Sequence, residues 1–458
     1  MNDLKETVRQ ESAALYRFVD SVIRLCTDIN EYPVYPRSSR SLFAKIKRLG
    51  EETKAFLNGF PAEAAKDART AFSKRLKLSD LRAHWETVHE YLKPVLDADT
   101  LHLPAPLTTV LQDAIESIDD LKDITFTVFL INELNYLQVP SGILIQRAND
   151  IADLIKGTRL PPRMGVVGIP YSQANGFFLN CLLPHEMGHF VYQEHFVTEV
   201  VPEIDKALET LEKDIGHALN EEDITMCRDL LESWIEEIFC DLFAICLIGP
   251  AYSFALIELT DATHLIGEPK SQLSDFHFFI QDHPAEMARF EAHFKLLKQL
   301  GWWPVVDKSS SAFVDVLRKS ASPTKELHIE YALPVDEERF LKCYFEVCEW
   351  LLTFLPTKVA VSTKEITSFE NQSPKIYDYL KRAIVPSTII LRKKVITPSP
   401  IVLINAGFFF YLDHMADLIS NIAGKDPKSV DTRSQFTERL ELWILKALED
   451  SRLLRGEK

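Results

Sequence analysis

The strongest chemical signal in the chain is five consecutive residues, His185-Glu186-Met187-Gly188-His189. On a helix, histidines at i and i+4 stand one turn apart on one face, so both imidazoles reach a single tetrahedral ion. Glu186 then projects beside the open coordination position, where a water would sit. The preceding run, Phe177-Phe178-Leu179-Asn180-Cys181-Leu182-Leu183, is apolar enough to be core. Pro184 falls inside the expected helix, deletes one backbone hydrogen bond and allows a kink. The bland alternative is two histidines on an amphipathic helix with no ion between them.

A catalytic zinc takes three protein ligands, and two residues compete for the third place. His195 follows His185 at the tenth position, the spacing of HExxHxxGxxH, but Tyr192 stands where that pattern has glycine. A bulky residue tolerates the left-handed turn poorly. The better candidate is Glu237, with Asp241 one turn later on the same face of a helix whose second half (Ile238, Phe239, Leu242, Phe243, Ile245, Cys246, Leu247) is almost wholly apolar. Carboxylates there are costly unless paired or bound to metal. The expectation is Glu237 on the ion, with Asp241 accepting the other ring N–H of a ligand histidine, His185. A buried salt bridge to Arg or Lys is the competing account. Glu236 is expected to point elsewhere, into solvent.

These residues resemble those of the gluzincin metallopeptidases, which carry HExxH followed by ExxxD on a second helix. Asp282-His283-Pro284-Ala285-Glu286-Met287-Ala288-Arg289 resembles the third motif of the CAAX-prenyl-protease and heat-shock-protein-X type. The resemblance covers roughly residues 163 to 290. It implies a zincin-like core, a His283 that stabilises the developing oxyanion and an Arg289 that helps order the site. It also implies that the strand Met164–Ile169 is a sheet edge able to pair with an extended substrate. Members of that type are membrane-embedded, whereas this chain shows no convincing span, and its long helical flanks lie outside the resemblance.

The expected function is therefore a zinc-dependent metallopeptidase acting on a peptide or protein. Zinc on His185, His189 and Glu237 would activate its bound water and polarise the scissile carbonyl. Glu186 would take the water proton and pass it to the leaving amine. His283, with Tyr252 as a second candidate, would donate to the oxyanion. The rival is a catalytically silent zincin-like scaffold with a metal-stabilised core, favoured by the size of the flanks. A structural zinc would need no Glu186 and would usually take four protein ligands.

The elements that must position these residues are helices. The pattern is mainly α (α+β), with helical flanks at 1–140 and 301–458 around a core at 141–300. Helical periodicity covers 2–27, 40–57, 61–76 and 78–96, and 107–137 reads as one or two further helices. The site helices run from about 175 to 194 and from 221 to 248, the second stopping at Gly249-Pro250. Arg163–Pro170 reads as an edge strand bounded by prolines. A short strand or turn is expected near Ser387–Leu391, and 434–454 is an amphipathic helix.

The 458 residues imply two or three domains. With 51 Lys and Arg against 67 Asp and Glu, the net charge of −16 argues against a general nucleic-acid partner. Arg392-Lys393-Lys394 reads as a small solvated cluster, and Phe408-Phe409-Phe410-Tyr411 as core. Seven scattered cysteines without a CxxC pair suggest reduced thiols. No secretory signal or stable membrane insertion is expected, and the expected location is cytoplasmic. The helical flanks offer surfaces to a regulatory protein partner.

Overall fold

Heptad-like and 3.6-residue spacing of large aliphatics accounts for most of the architecture. Val8, Leu15 and Val22 recur at seven-residue intervals and all are buried, so the first segment must lay one stripe against neighbouring helices. In the computed structural model the chain is mainly helical, with a few short strands. The structure describes residues 2–31, 37–64, 67–97, 104–131, 137–139, 141–160, 163–170, 173, 176–215, 220–260, 284, 286–309, 311–320, 335, 337–359, 361–423 and 430–456.

The chain divides into two compact units. Unit 1 comprises 1–112 and 123–175; unit 2 comprises 113–122 and 176–458. Unit 1 contains α1 (Asn2–Glu31), α2 (Arg37–Ala64), α3 (Ala68–Asp97), the start of α4 (Ala105–Glu116), β1 (Thr125–Ile131), β2 (Leu137–Val139), α5 (Ser141–Ile155) and β3 (Met164–Pro170). Its core joins Val19, Phe43, Ile46, Leu81 and Trp85 to Ile151 and Met164.

Two expectations fail in this unit. The segment 107–137 is not all helix: α4 ends at Glu116 and β1 follows. In Thr125-Phe-Thr-Val-Phe-Leu-Ile131 every residue but Leu130 is β-branched or aromatic, which favours a strand. Gln112 then holds α4 to β1, its amide donating to the Ile124 carbonyl at 2.9 Å and accepting from the Phe126 N–H at 2.8 Å. Nor is β3 an edge strand. It lies between β1, parallel over all seven residues, and β2, antiparallel over Val166–Gly168. Every residue of β3 is buried, so the paired strand offers no open edge of the kind expected for substrate.

Unit 2 is built on α8 (Glu221–Ile248). Asn220 caps it, its side chain accepting from the Asp223 N–H at 2.8 Å, and Glu221, Glu222 and Asp223 complement the dipole of the first turn. From Glu237 to Ile248 every residue is buried. The helix stops at Gly249, whose φ of 79° suits glycine, and the Trp302 indole packs where a Cβ would sit, 3.1 Å away. Asn405 satisfies the backbone groups freed at this helix break. Its amide donates to the Ile248 carbonyl at 2.8 Å and accepts from the Ala251 N–H at 3.1 Å.

The unit continues through α6 (Leu183–Val191), α7 (Val197–Ile215), α9 (Pro250–Thr260), α10 (Glu286–Gln299), α11 (Trp303–Val306), α12 (Ala312–Ser320), α13 (Glu337–Lys358) and α14 (Ile366–Leu380), of which α6, α7, α9, α10 and α13 pack against α8. The hairpin β4 (Ile389–Leu391) and β5 (Lys394–Ile396), α15 (Pro400–Ala423) and α16 (Val430–Arg455) complete the unit. By length and composition Pro400–Ile422 could cross a membrane, but 67% of its apolar window is buried within the protein, as in a core helix. Phe408 and Phe410 are fully buried there.

Candidate metal centre

The metal-ligand pattern depends on how closely α6 can approach α8. The expected single helix over 175–194 is broken into a 3-10 turn (Leu179–Leu182), α6, and a π turn (Tyr192–Phe196). Pro184 therefore sits in the first turn of α6, where it costs no hydrogen bond and imposes no kink. Glu441 of α16 anchors the chain just ahead of α6, accepting from the Phe177 and Phe178 N–H groups at 2.8 and 3.1 Å. At Gly188 the two helices touch backbone to backbone. A Cβ there would meet Cys240 Cα at 3.0 Å and Cys240 Sγ at 3.2 Å, so the glycine inside HExxH is what permits the approach.

That approach brings together His185, His189 and Glu237, whose ligand atoms all lie within 4.8 Å of one another. His185 and Glu237 are buried, and His189 is partly so. His185 Nε2 lies 3.4 Å from Glu237 Oε2, and His189 Nε2 lies 3.5 Å from Glu237 Oε1. Both imidazoles thus turn Nε2 toward one carboxylate.

Each opposite ring nitrogen meets a second carboxylate. His185 Nδ1 lies 2.9 Å from Asp241 Oδ1, and His189 Nδ1 lies 2.9 Å from Glu236 Oε1. An ionised carboxylate only accepts, so it fixes the proton on Nδ1 and leaves the Nε2 lone pair for an ion. Asp241 occupies the position expected beside His185. Glu236 does not point into solvent: it also accepts from Gln193 Nε2 at 3.1 Å. The two helices run antiparallel, so one step along α6 toward His189 is a step back along α8, from Asp241 to Glu236.

Behind His185 lies a buried polar cluster. Arg289 of α10 grips Asp241 with two hydrogen bonds, Nε to Oδ2 at 2.7 Å and Nη2 to Oδ1 at 2.6 Å. Its Nη2 is 3.8 Å from Glu237 Oε2. His293 Nε2 lies 3.1 Å from Asp241 Oδ2, a neighbour that the sequence reading did not single out. Tyr252 of α9 donates to Asp241 Oδ1 and lies 3.1 Å from His185 Nδ1. That places its hydroxyl behind the ring, away from Nε2, and overturns the expectation that it serves an oxyanion.

The electrostatics follow from this packing. Burial alone would raise the Asp241 carboxyl, but the Arg289 guanidinium overrides it and holds the group well below the ordinary range. Burial likewise opposes the charge on Glu237, and His185 outweighs it, bringing the pKa to about 2. For His185 burial disfavours the cation, yet the hydrogen bonds with Asp241 and Glu237 raise its pKa to about 10. An incoming cation must therefore displace a proton there.

Of the other candidates, Glu186 is half-buried in the first turn of α6. His195 falls on the π turn, edge-on to Phe196 at 4.7 Å between ring centroids, and is not part of the ligand group. His283 lies outside the described residues. All seven cysteines are free and buried. No protein-family model matches the chain, and no curated protein or solved structure matches it either.

Proposed function

We propose that the chain is a zinc-dependent metallopeptidase with a zincin-like arrangement in unit 2. The observation that carries the reading is the paired orientation of the histidines. Two imidazoles present Nε2 to Glu237 while Asp241 and Glu236 hold their Nδ1 protons. A donor set of two nitrogens and one carboxylate suits zinc with a coordination position left open, as in catalytic rather than structural sites. When bound, zinc supplies Lewis acidity and lowers the pKa of a coordinated water.

The chain's own residues have the following roles. His185, His189 and Glu237 hold the ion. Asp241, clamped by Arg289, keeps the His185 ring in one tautomer, and Glu236 does the same for His189. Glu186 takes a proton from the attacking water and returns it to the leaving amine nitrogen. His283 is assigned to the oxyanion by resemblance only. The substrate is a peptide or protein.

Incubation of the purified chain with a fluorogenic peptide library, with and without a chelator, tests the reading. Chelator-sensitive cleavage is expected. Glu186→Gln should keep its metal and lose about 10²–10⁴-fold in turnover, the usual contribution of a general base. Undiminished cleavage by that variant would remove Glu186 from the mechanism. A zinc-loaded chain inert toward every peptide would favour the silent-scaffold reading instead.

A further inference from the structure

In unit 2 a cationic turn and exposed aliphatic residues occur near one another on a chain of strongly negative net charge. β4 and β5 pair in register, Ile390 opposite Val395 and Leu391 opposite Lys394, so the connection is Arg392-Lys393 alone. Both have positive φ, 50° and 66°. A two-residue turn of this kind normally takes Asn-Gly, so placing two long cationic side chains there costs backbone strain. With Lys394 they form three consecutive exposed cations, none in an ion pair among the described residues.

The same hairpin leaves apolar surface in solvent. Directly opposed residues share a face, and Ile390 and Val395 are 56% and 73% exposed, whereas Ile389, on the other face, is buried. The end of α16 lies alongside. Ser451 Oγ donates to the Pro398 carbonyl at 2.7 Å and Ser387 Oγ donates to Asp450 Oδ2 at 2.6 Å, so α16 is tied to both legs of the hairpin. One turn beyond these bonds, Leu453 and Leu454 are 69% and 59% exposed. Val395, Leu453 and Leu454 are the three most exposed large hydrophobic residues described.

We infer that this region of unit 2 docks on an anionic lipid bilayer, its four aliphatic side chains entering the headgroup boundary and its three cations meeting lipid phosphates and carboxylates. Aliphatic residues protruding beside a basic turn suit a fluid interface, which needs no preformed pocket. The net charge of −16 makes the average surface unfavourable toward anionic lipid, so attraction depends on local cationic patches such as this one. Binding is weak and reversible, because it combines a small aliphatic insertion with a short cationic patch.

Co-sedimentation of the full chain with phosphatidylcholine vesicles, with and without about one-third phosphatidylserine, tests the inference. Binding is expected only with phosphatidylserine, and should vanish near 1 M salt, where the Debye length is about 3 Å. Each cation near such a surface contributes about fivefold, so Arg392→Gln with Lys393→Gln and Lys394→Gln should weaken partitioning about a hundredfold. Arg392→Asn with Lys393→Gly installs the favoured turn, preserves the hairpin and should still lose about thirtyfold. Val395→Ser with Leu453→Ser should lose about tenfold or more. Equal binding to neutral vesicles, no binding at all, or unchanged binding by the turn variants would overturn the inference. So would capture by soluble polyglutamate without vesicle binding, which would assign an acidic protein partner. Concentration-dependent self-association abolished by Val395→Ser would assign a second copy of the chain.

Discussion

Arg289→Met should destabilise unit 2 by an amount that can be worked from the structure. Arg289 and Asp241 are 7% and 0% exposed, and are joined by hydrogen bonds of 2.7 and 2.6 Å. Breaking a buried pair by removing one partner costs about 3–5 kcal/mol, because the other charge is left without compensation. Asp241 would retain Tyr252 and His185, so the lower end applies, about 3 kcal/mol. For a unit of this size that lowers Tm by about 5 °C. Asp241→Asn should cost a similar amount by stranding the guanidinium. The double variant should recover part of the loss, with a coupling of about 2 kcal/mol or more between the two sites. Five of the six tryptophans (Trp234, Trp302, Trp303, Trp350 and Trp443) belong to unit 2, so denaturant unfolding followed by tryptophan fluorescence reads this unit. Chelator in the buffer removes any contribution from bound metal. Single variants within about 1 kcal/mol of wild type, or strictly additive effects, would refute the claim that Arg289 clamps Asp241.

Three further outcomes are expected. Glu236→Ala should weaken zinc binding about 10–100-fold in a chelator competition, the usual cost of losing the partner of a ligand histidine; unchanged affinity would mean that the His189 contact does not matter. Gly188→Ala should cost about 1–3 kcal/mol and reduce zinc affinity, since its methyl would press on the Cys240 backbone; a variant as stable as wild type would show that the helices are free to separate. Glu258 of α9 has its carboxyl raised from 4.5 to about 6, chiefly by burial, with Tyr411's hydrogen bond opposing and Glu441's charge adding. The folded state thus prefers it protonated, and this contribution is lost as pH rises from about 4.5 through about 6. Glu258→Gln should stabilise the protein at neutral pH by about 1–2 kcal/mol and flatten the decline, as read from thermal melts across that range.

The site was legible in the sequence where helical periodicity alone decides which residues share a face. His185 with His189, and Glu237 with Asp241, are both one-turn pairs, and α8 has the expected limits. Glu236 was not legible in that way, because its contact depends on the antiparallel run of α8 past α6. That is a tertiary fact, although a second carboxylate beside the ligand was an available signal. Tyr252, a second candidate for the oxyanion, instead lies at His185 Nδ1 and Asp241, a position that is likewise set by tertiary packing. The strand β1 was missed because helical spacing was carried through 107–137 against a β-branched and aromatic run. The edge reading of β3 failed because it was inferred from flanking prolines, while the partners on both sides lie up to about forty residues away along the chain. The two-unit division rests on long-range contacts that no local pattern encodes.

The central claim is that two imidazoles and the Glu237 carboxylate share one ion. Zinc content of the purified chain by plasma mass spectrometry, for wild type, Glu237→Ala and His195→Ala, tests it most directly. The account predicts about one zinc per chain in wild type and His195→Ala, and little in Glu237→Ala. Full zinc retained by Glu237→Ala, or its loss in His195→Ala, would contradict it.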